Sequence, residues 1–482
     1  MILQTTTPTI EGKPIQQYLG IVTAEAIIGA NIVLVGSDLG TSTDIDGNYK
    51  IEGLKPGIYN ISVSYLGYET INQSEIEIQG IRPTIFNFEM VENAKQLEEI
   101  VVKASSFKKT AESPVSLRTI GVSEIKRNPG GNRDISRVIQ SLPGVTSTAS
   151  FRNDLIIRGG APNENRFFVD DIEVPVINHF STQGSSGGPA GIINVDFIRE
   201  VDFYSGAFPV SRGNALSSVF NFKFKDGRDD RIGANLTAGA TDIGLTLDGP
   251  LSKKSTFLFS ARRSYLQFLF KAIGLPFLPT YTDFNMKYKY KIDNKNEISF
   301  IGLGALDDFS LNKDANDTES KQYLLERLPV NTQWNYTNGI VYKHYGSHGY
   351  TNFVISRNML NNKAVKYLNN DESNPENLVL DYTSQEIENK LRIENARKHG
   401  QWEYLAGVSY EYVKYNNQTS NKIYTNAGSE NINYTSALNM HKYGLFGNVS
   451  RKLLSERLNV ALGFRLHGNT YSSEMNNLLD QD

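Results

Sequence analysis

Six histidines stand at positions 179, 344, 348, 399, 441 and 467 of the 482-residue chain, too scattered to suggest a metal-ligand set. His344 and His348 have a spacing that would share one face of a helix. Tyr342, Tyr345, Gly346 and Gly349 around them predict strand and turn instead, so a metal site there is the weaker reading. There is no Gly-x-Ser-x-Gly elbow for a nucleophile. Gly159-Gly160 and the stretch from Gly184 to Gly191 lack the Lys-Ser/Thr ending of a phosphate-cradling loop. Cysteine is absent, which excludes thiolate metal sites and disulfides. No catalytic residue, metal or cofactor is expected. The polar groups that remain can bind rather than react. Asp170-Asp171 reads as a polar hairpin apex, and His179 lies near it and could touch a ligand, although a solvated loop is the stronger reading. Arg158, Arg166, Arg199 and Arg212 can each pair with a carboxylate through charge-assisted hydrogen bonds.

These residues must be held by β-structure. A net charge of −3 argues against a nucleic-acid partner. Mean hydropathy is −0.36, which looks soluble. Strands that alternate apolar and polar side chains also average to that value when they line a membrane barrel. The 25 tyrosines and 24 phenylalanines, against 2 tryptophans, suit membrane-interface girdles. No apolar run reaches the ~18 residues of a membrane helix. The best cluster, from Tyr265 to Leu278, is broken by Gln267, Lys271 and Pro276 and reads as a loop or short interfacial helix. Met1-Ile2-Leu3 is followed by Gln4 and three threonines, without a basic start or apolar stretch. Either a leader has been trimmed or the protein is not exported.

Residues 1–15 read as a linker. Residues 16–92 form an all-β unit of short apolar runs punctuated by Gly29, Asp46-Gly47-Asn48 and Lys55-Pro56-Gly57, compatible with a seven-strand sandwich. Asp44-x-Asp46-Gly47 could suggest a calcium loop. Lys55 stands where an EF-hand needs its bidentate Glu, so an Asx-type turn is the better reading. Residues 93–106 are a hinge. Residues 107–226 mix strands with a short helix from about Asp134 to Leu142, capped by Asp134 and stopped by Pro143-Gly144. From 227 to 482 the strands lengthen. Phe284, Met286, Tyr288 and Tyr290 alternate with Asn285, Lys287 and Lys289, and Leu458 to Leu466 repeats the pattern. One-faced segments of ~10 residues separated by long polar stretches are the mark of a transmembrane barrel.

Three groups of residues resemble a known family. Gly40 to Tyr49, Leu54 to Tyr59 and Val63 to Glu69 are similar to the carboxypeptidase-regulatory-like β-sandwich that precedes many outer-membrane receptors. Ile135 to Val145, Leu155 to Gly160, Asn165 to Ile172, Ile198 to Gly206 and Arg212 to Val219 resemble, in order and spacing, the plug of TonB-dependent receptors. Glu98, Glu99, Ile100, Val101 and Val102, between the two, resemble a TonB box, a short strand that can add to the edge of a partner's sheet. An ordinary first strand of the next domain is the alternative.

The resemblance implies a mostly β protein: a β-sandwich, an α+β plug and the N-terminal part of a 22-stranded barrel in the outer membrane. It implies TonB, outer-membrane lipid and an unknown small ligand as partners. The ligand would be of the siderophore, cobalamin, peptide or glycan class, imported by plug displacement. The four arginines would tie the plug to carboxylates of the barrel or, equally, stabilise the plug itself. Residues 227–482 hold about ten strands at ~25 residues each, so the chain is expected to be a fragment. The run Val201 to Pro209 departs from the glycan-importing subfamily, which weighs against a glycan and its surface lipoprotein partner. Two rivals are an outer-membrane sensing or adhesion receptor without transport, and an enzyme carrying a regulatory β-domain. The second needs zinc ligands that the spacing does not supply.

Overall fold

The computed structural model describes residues 27–37, 39–68, 70–78, 84, 86–88, 90, 116–128, 131, 134–147, 152–183, 187–425, 428–454 and 458–472, with the backbone of 9–10 and 13–14. Strands β1 (Thr9–Ile10) and β2 (Lys13–Pro14) form a minimal hairpin. The next sheet joins β3 (Asn31–Leu34), β4 (Gly40–Ser42), β5 (Gly57–Ser64) and β6 (Ile71–Ile78) in the antiparallel order β4-β3-β5-β6. Among the described residues this domain shows four strands in its sheet, where the turn spacing suggested seven. Ile32, Leu34, Ile61 and Val63 supply the buried face, covered by Tyr49, Ile51, Leu54, Phe86 and Phe88. Asp44 Oδ1 accepts from the backbone N–H groups of Asp46 (3.0 Å) and Asn48 (2.8 Å), the Asx turn expected there.

The second domain is built on a five-stranded sheet. Its elements are β7 (Leu117–Gly121), α1 (Val122–Arg127), α2 (Ile135–Gln140), β8 (Val145–Thr146), β9 (Ile156–Ile157), β10 (Asn165–Val169), β11 (Ile172–Glu173), β12 (Asn178–His179), β13 (Ala190–Gly191), β14 (Ile198–Tyr204) and β15 (Ser218–Phe224). The sheet order is β11-β10-β15-β14-β7, with β10 parallel to β15. Asp134 caps α2 through Ser136 N–H at 2.9 Å, and Gly144 leaves it at φ +80°. Phe203 stacks on Phe220 at 4.6 Å, inside a core that draws in Ile135, Val138 and Ile139 from α2.

The third part is one open antiparallel sheet of eleven strands in chain order. Its first members are β16 (Gly233–Ala238), β17 (Asp242–Ser252), β18 (Ser255–Ser264), β19 (Phe277–Lys291), β20 (Asn296–Leu311) and β21 (Val330–Gly346). It continues through β22 (Gly349–Tyr367), β23 (Leu378–His399), β24 (Trp402–Thr425), β25 (Gly428–Leu453) and β26 (Leu458–Asn469). From β19 to β25 the strands run 15 to 26 residues, longer than the ~10 a bilayer needs. Short turns at 253–254, 292–295 and 347–348 mark one end. At the other lie 265–276, with α3 (Leu266–Ala272), 312–329, with α4 (Glu319–Arg327), and 368–377. In α3 Phe268 and Leu269 are exposed, and Ile273 beyond it as well, so the interrupted apolar cluster is a short helix.

Alternation sorts the sheet's two faces. Phe284, Ile340, Phe353, Ile355, Val408 and Leu445 are exposed on the convex face, while Asp283, Asn285, Asn335, Thr337, Asn352 and Ser356 are buried on the concave one. A polar face buried this thoroughly needs polar partners. The five-stranded domain supplies them from inside the curve. No helix among the described residues is long and apolar enough to cross a membrane.

Candidate functional site: the interface between inner domain and wall

The hydrogen bonds and ion pairs between inner domain and wall concentrate in two places. The first is centred on His179, at the end of β12. Its ring is fully buried, with Nδ1 2.6 Å from Asp307 of β20 and Nε2 3.0 Å from Asp283 of β19. It stacks on Tyr281 at 4.1 Å. The two carboxylates are held in turn: Phe180 N–H donates to Asp307 Oδ2 (2.8 Å), and Arg262 of β18 pairs with Asp283 (2.8 Å). Arg262 also donates to the carbonyls of Gly191 (2.7 Å) and Ile192 (3.0 Å) on the inner domain. Burial alone would depress the imidazole pKa. The carboxylates of Asp307 and Asp283 outweigh it and raise the value to about 9. His179 is therefore a cation in a fully paired, dry cluster. Phe180 sits at φ +54°, an unusual backbone state for a bulky residue, held by these surroundings.

The second place is the tight connection between β10 and β11, where Asp170 (φ +42°) and Asp171 (φ +74°) both take left-handed backbone. Asp170 pairs with Lys287 of β19 at 2.8 Å. Asp171 pairs with Arg212, with Arg392 of β23 (3.4 Å), and accepts from Asn352 (3.2 Å). Burial would raise the Asp171 carboxyl pKa, but Arg212 and Arg392 overcome this and hold it well below the usual carboxylate range. Glu173 pairs with Lys390 of β23 at 2.7 Å. Beside this connection lies a cavity of about 350 Å³. Phe168, Asp171 and Glu173 line it from the inner domain, and Lys390, Arg392, Glu411, Lys442 and Arg465 from the wall.

The sequence-predicted residues are placed as follows. His179 and Asp170-Asp171 both face the wall but are not in one site: His179 meets β19 and β20, Asp171 meets β22 and β23. Of the four arginines, Arg212 reaches the wall region through the shared Asp171. Arg158 donates to Ser205 (3.1 Å), and Arg166 donates to the carbonyls of Asn163 and Asn165 and lies 3.7 Å from Glu173. The guanidinium of Arg199 lies 5.1 Å over the Phe86 ring of the N-terminal domain. The charged pairs to the wall thus run chiefly from carboxylates of the inner domain to cations of the wall, while Arg158 and Arg166 serve the inner domain itself, the second of the two readings. The wall residues Asp283, Asp307, Lys287, Lys390 and Arg392 were not singled out. Their signal was present in the polar half of the strand alternation, as in Asp283-x-Asn285-x-Lys287. Glu98, Glu99, Ile100, Val101 and Val102 lie outside the described residues.

A charged interior domain seated in the concave face of a long-stranded sheet is the arrangement that comparison with known proteins identifies. Residues 109–219 match the family model of the TonB-dependent receptor plug domain, and residues 20–102 that of the CarboxypepD_reg-like domain. The chain thus carries a plug domain of the TonB-dependent receptor type behind a CarboxypepD_reg-like domain. The receptor is 24% identical over 274 residues to the TonB-dependent transporter Oar of Myxococcus xanthus, covering 49% of this chain and 25% of Oar. A separate short likeness, 58% over 33 residues, joins 7% of the chain to 31% of a UPF0145 protein of Caulobacter vibrioides. Among solved structures it is similar to the ferric enterobactin receptor PfeA of Pseudomonas aeruginosa, with TM-score 0.56 and 14% identity, over 76% of this chain and 59% of that one. The copper transporter OprC gives TM-score 0.56 at 13% identity, over 75% and 57%. These identities speak for the fold. The receptor spans under two thirds of both structures, and its match to Oar a quarter of that protein. The family comprises outer-membrane receptors and transporters rather than enzymes.

Proposed function

We propose that this receptor imports a scarce ligand across the outer membrane by displacement of its plug. The observation that carries the reading is the plug–wall interface, which is made largely of ion pairs and hydrogen bonds flanking a cavity. Water can replace such contacts one by one, so the plug can leave and return without unfolding an apolar core. In this reading TonB adds a strand to Glu98-Glu99-Ile100-Val101-Val102, within the hinge 93–106, and pulls on β7. Asp170, Asp171 and His179 serve in this reading as plug–wall fastenings rather than as ligand contacts. The ligand then meets the plug from the side of the long connections at 265–276, 312–329 and 368–377. Siderophore, copper, cobalamin, peptide and glycan ligands are all compatible with this geometry. The resemblance to PfeA and OprC favours a metal or metal chelate as the first to try. The charged plug–wall interface supports ordinary reversible transport, and no covalent step is required.

The test uses the full-length gene. Deletion of residues 97–104 is expected to abolish uptake of whichever of ferric catecholates, copper, cobalamin, peptides or glycans the intact receptor supports. Unchanged uptake in the deletion strain would sink the proposal.

A further inference from the structure

We propose that the convex face of the wall binds the phosphate headgroup of an outer-leaflet lipid at a site centred on Arg357 of β22. The inference rests on the outer-membrane placement in the reading above, and it can fail separately from import.

Strand register sets Arg357 in one row with Asn338 of β21, Asn389 of β23 and Tyr412 of β24. These four share the parity of Ile340, Ile355, Leu391 and Val408, the exposed apolar residues of the convex face. Arg357 and Asn338 are exposed themselves. A charge turned toward lipid is costly unless something meets it, and the cost falls toward the rim of the apolar band. Arg357 stands eight steps from Gly349, the first residue of β22 at the short-turn end. At ~3.3 Å per residue and a tilt of ~40°, that is a height of roughly 20 Å in a band ~25 Å tall. A long side chain starting there reaches the headgroups on the side of the long connections. Trp334 and Tyr336, stacked at 6.2 Å on β21 beside this row, suit the same boundary.

The guanidinium is held in place but not neutralised. Nε donates to Tyr336 Oη (3.0 Å) and Nη1 to Asn389 Oδ1 (2.7 Å). Both acceptors are uncharged, and Arg357 forms no ion pair among the described residues. Lys414, paired with Ile387, stands one row further out, and Lys363 three rows out on β22 itself. Both carry positive charge on the same parity. The neighbouring carboxylates have the opposite parity: Glu388 shares Lys390 with Glu173 of the plug, on the lumen side. Among the described outward positions of β21 to β24 the one carboxylate is Asp381, a row beyond Lys363. A planar fork, fixed in position, flanked by lysines and lacking an anion, fits a phosphate ester. A lipid supplies that phosphate at this height and covers the apolar residues below it.

The test reads bound lipid. The full-length receptor, stripped of lipid in a non-ionic detergent, is titrated with diphosphoryl lipid A, and bound copies are counted by native mass spectrometry. The parent should hold the lipid. Arg357→Gln should weaken binding roughly tenfold or more, the loss expected for charge-assisted hydrogen bonds. Arg357→Lys and Lys414→Gln should each weaken it by less. Lipid A without its phosphates should bind the parent weakly, and an excess of inorganic phosphate should not displace the intact lipid. Heat-modifiable gel mobility checks that each variant is folded; if Arg357→Gln is not, the graded losses in the other two carry the test. Unchanged binding in the folded variants, indifference to dephosphorylation, or full displacement by inorganic phosphate would each overturn the proposal. So would a second protein that co-purifies with the parent and is lost from Arg357→Gln. Intact lipid binding in a receptor that takes up no ligand would count against the import reading instead.

Discussion

The charge on His179 gives the plug a pH dependence that can be worked out in advance. Its folded pKa, about 9, lies above the ordinary 6.5. A group shifted upward stabilises fully below its free value, and the contribution is lost as pH rises through the folded value. The window is therefore pH 6.5 to 9. A difference of that size corresponds to roughly 3 kcal/mol, and the ring is fully buried, so solvent does not discount it. Amide exchange in β12 and β13 reports local opening of this segment. After correction for the base-catalysed intrinsic rate, protection there should fall roughly a hundredfold or more between pH 6.5 and 9. Protection in β10 and β15, bonded within the plug sheet, should change far less. His179→Gln should remove the pH dependence while weakening protection at all pH values, since Asp307 loses its cationic partner; breaking such a buried pair costs about 3–5 kcal/mol. A pH-independent protection of β12 in the parent receptor, or an equal slope in His179→Gln, would refute the assignment of a charged clamp.

Three further outcomes follow from local contacts. Asp134→Ala removes the cap of α2 and the acceptor of Gly191 N–H (2.8 Å) and Asn153. Its stability cost should exceed the ~1 kcal/mol of an ordinary N-cap, visible as a lowered midpoint in denaturant. Gly159 lies at φ +81° with nothing within 4 Å of an added Cβ, so Gly159→Ala should cost about 1 kcal/mol from backbone strain alone; no loss would show that the turn relaxes. Lys126→Ala breaks a partly exposed pair with Glu77, worth about 0–1 kcal/mol, and should leave the plug's melting unchanged while loosening the N-terminal domain, measured by protease cleavage between residues 91 and 115.

The fold was legible where one rule dominates. Asp134, then Ile135, Val138 and Ile139, then Pro143-Gly144 can be read directly as cap, buried face and stop, and α2 follows them within a residue or two. The alternation around Phe284 and Val408 assigns the two faces of the wall because a β-strand has no freedom but to alternate. The strand lengths were less legible: β24 continues well past the apolar belt through Asn416 to Asn421, where polar residues on both faces carry no burial signal. The site was legible as residues and not as pairs. His179 was singled out, but its partners lie 104 and 128 positions away, and no spacing rule connects them. The sequence left open whether the arginines serve the wall or the plug itself: Arg158 and Arg166 find partners within their own domain, and only the fold shows that Asp170 and Glu173 face lysines.

The composition of the interface fits the proposed displacement of a plug that is otherwise firmly seated. Its apolar core is largely its own: Phe167, Phe203, Phe220, Phe222 and the α2 face pack together, and from the wall only Leu258, Ile301, Leu303, Val341 and Val354 join them. Each buried aliphatic side chain contributes about 1.5–3 kcal/mol, so a larger apolar contribution from the wall would fuse plug and barrel into one cooperative unit. Ion pairs set the alignment without that consequence, because their net stabilisation is small wherever water reaches them. The cavity beside Asp171 keeps that half of the interface accessible to water, and the dry cluster at His179 keeps the other half closed. The two halves are therefore expected to open to solvent at different rates, the Asp171 half faster than the His179 half.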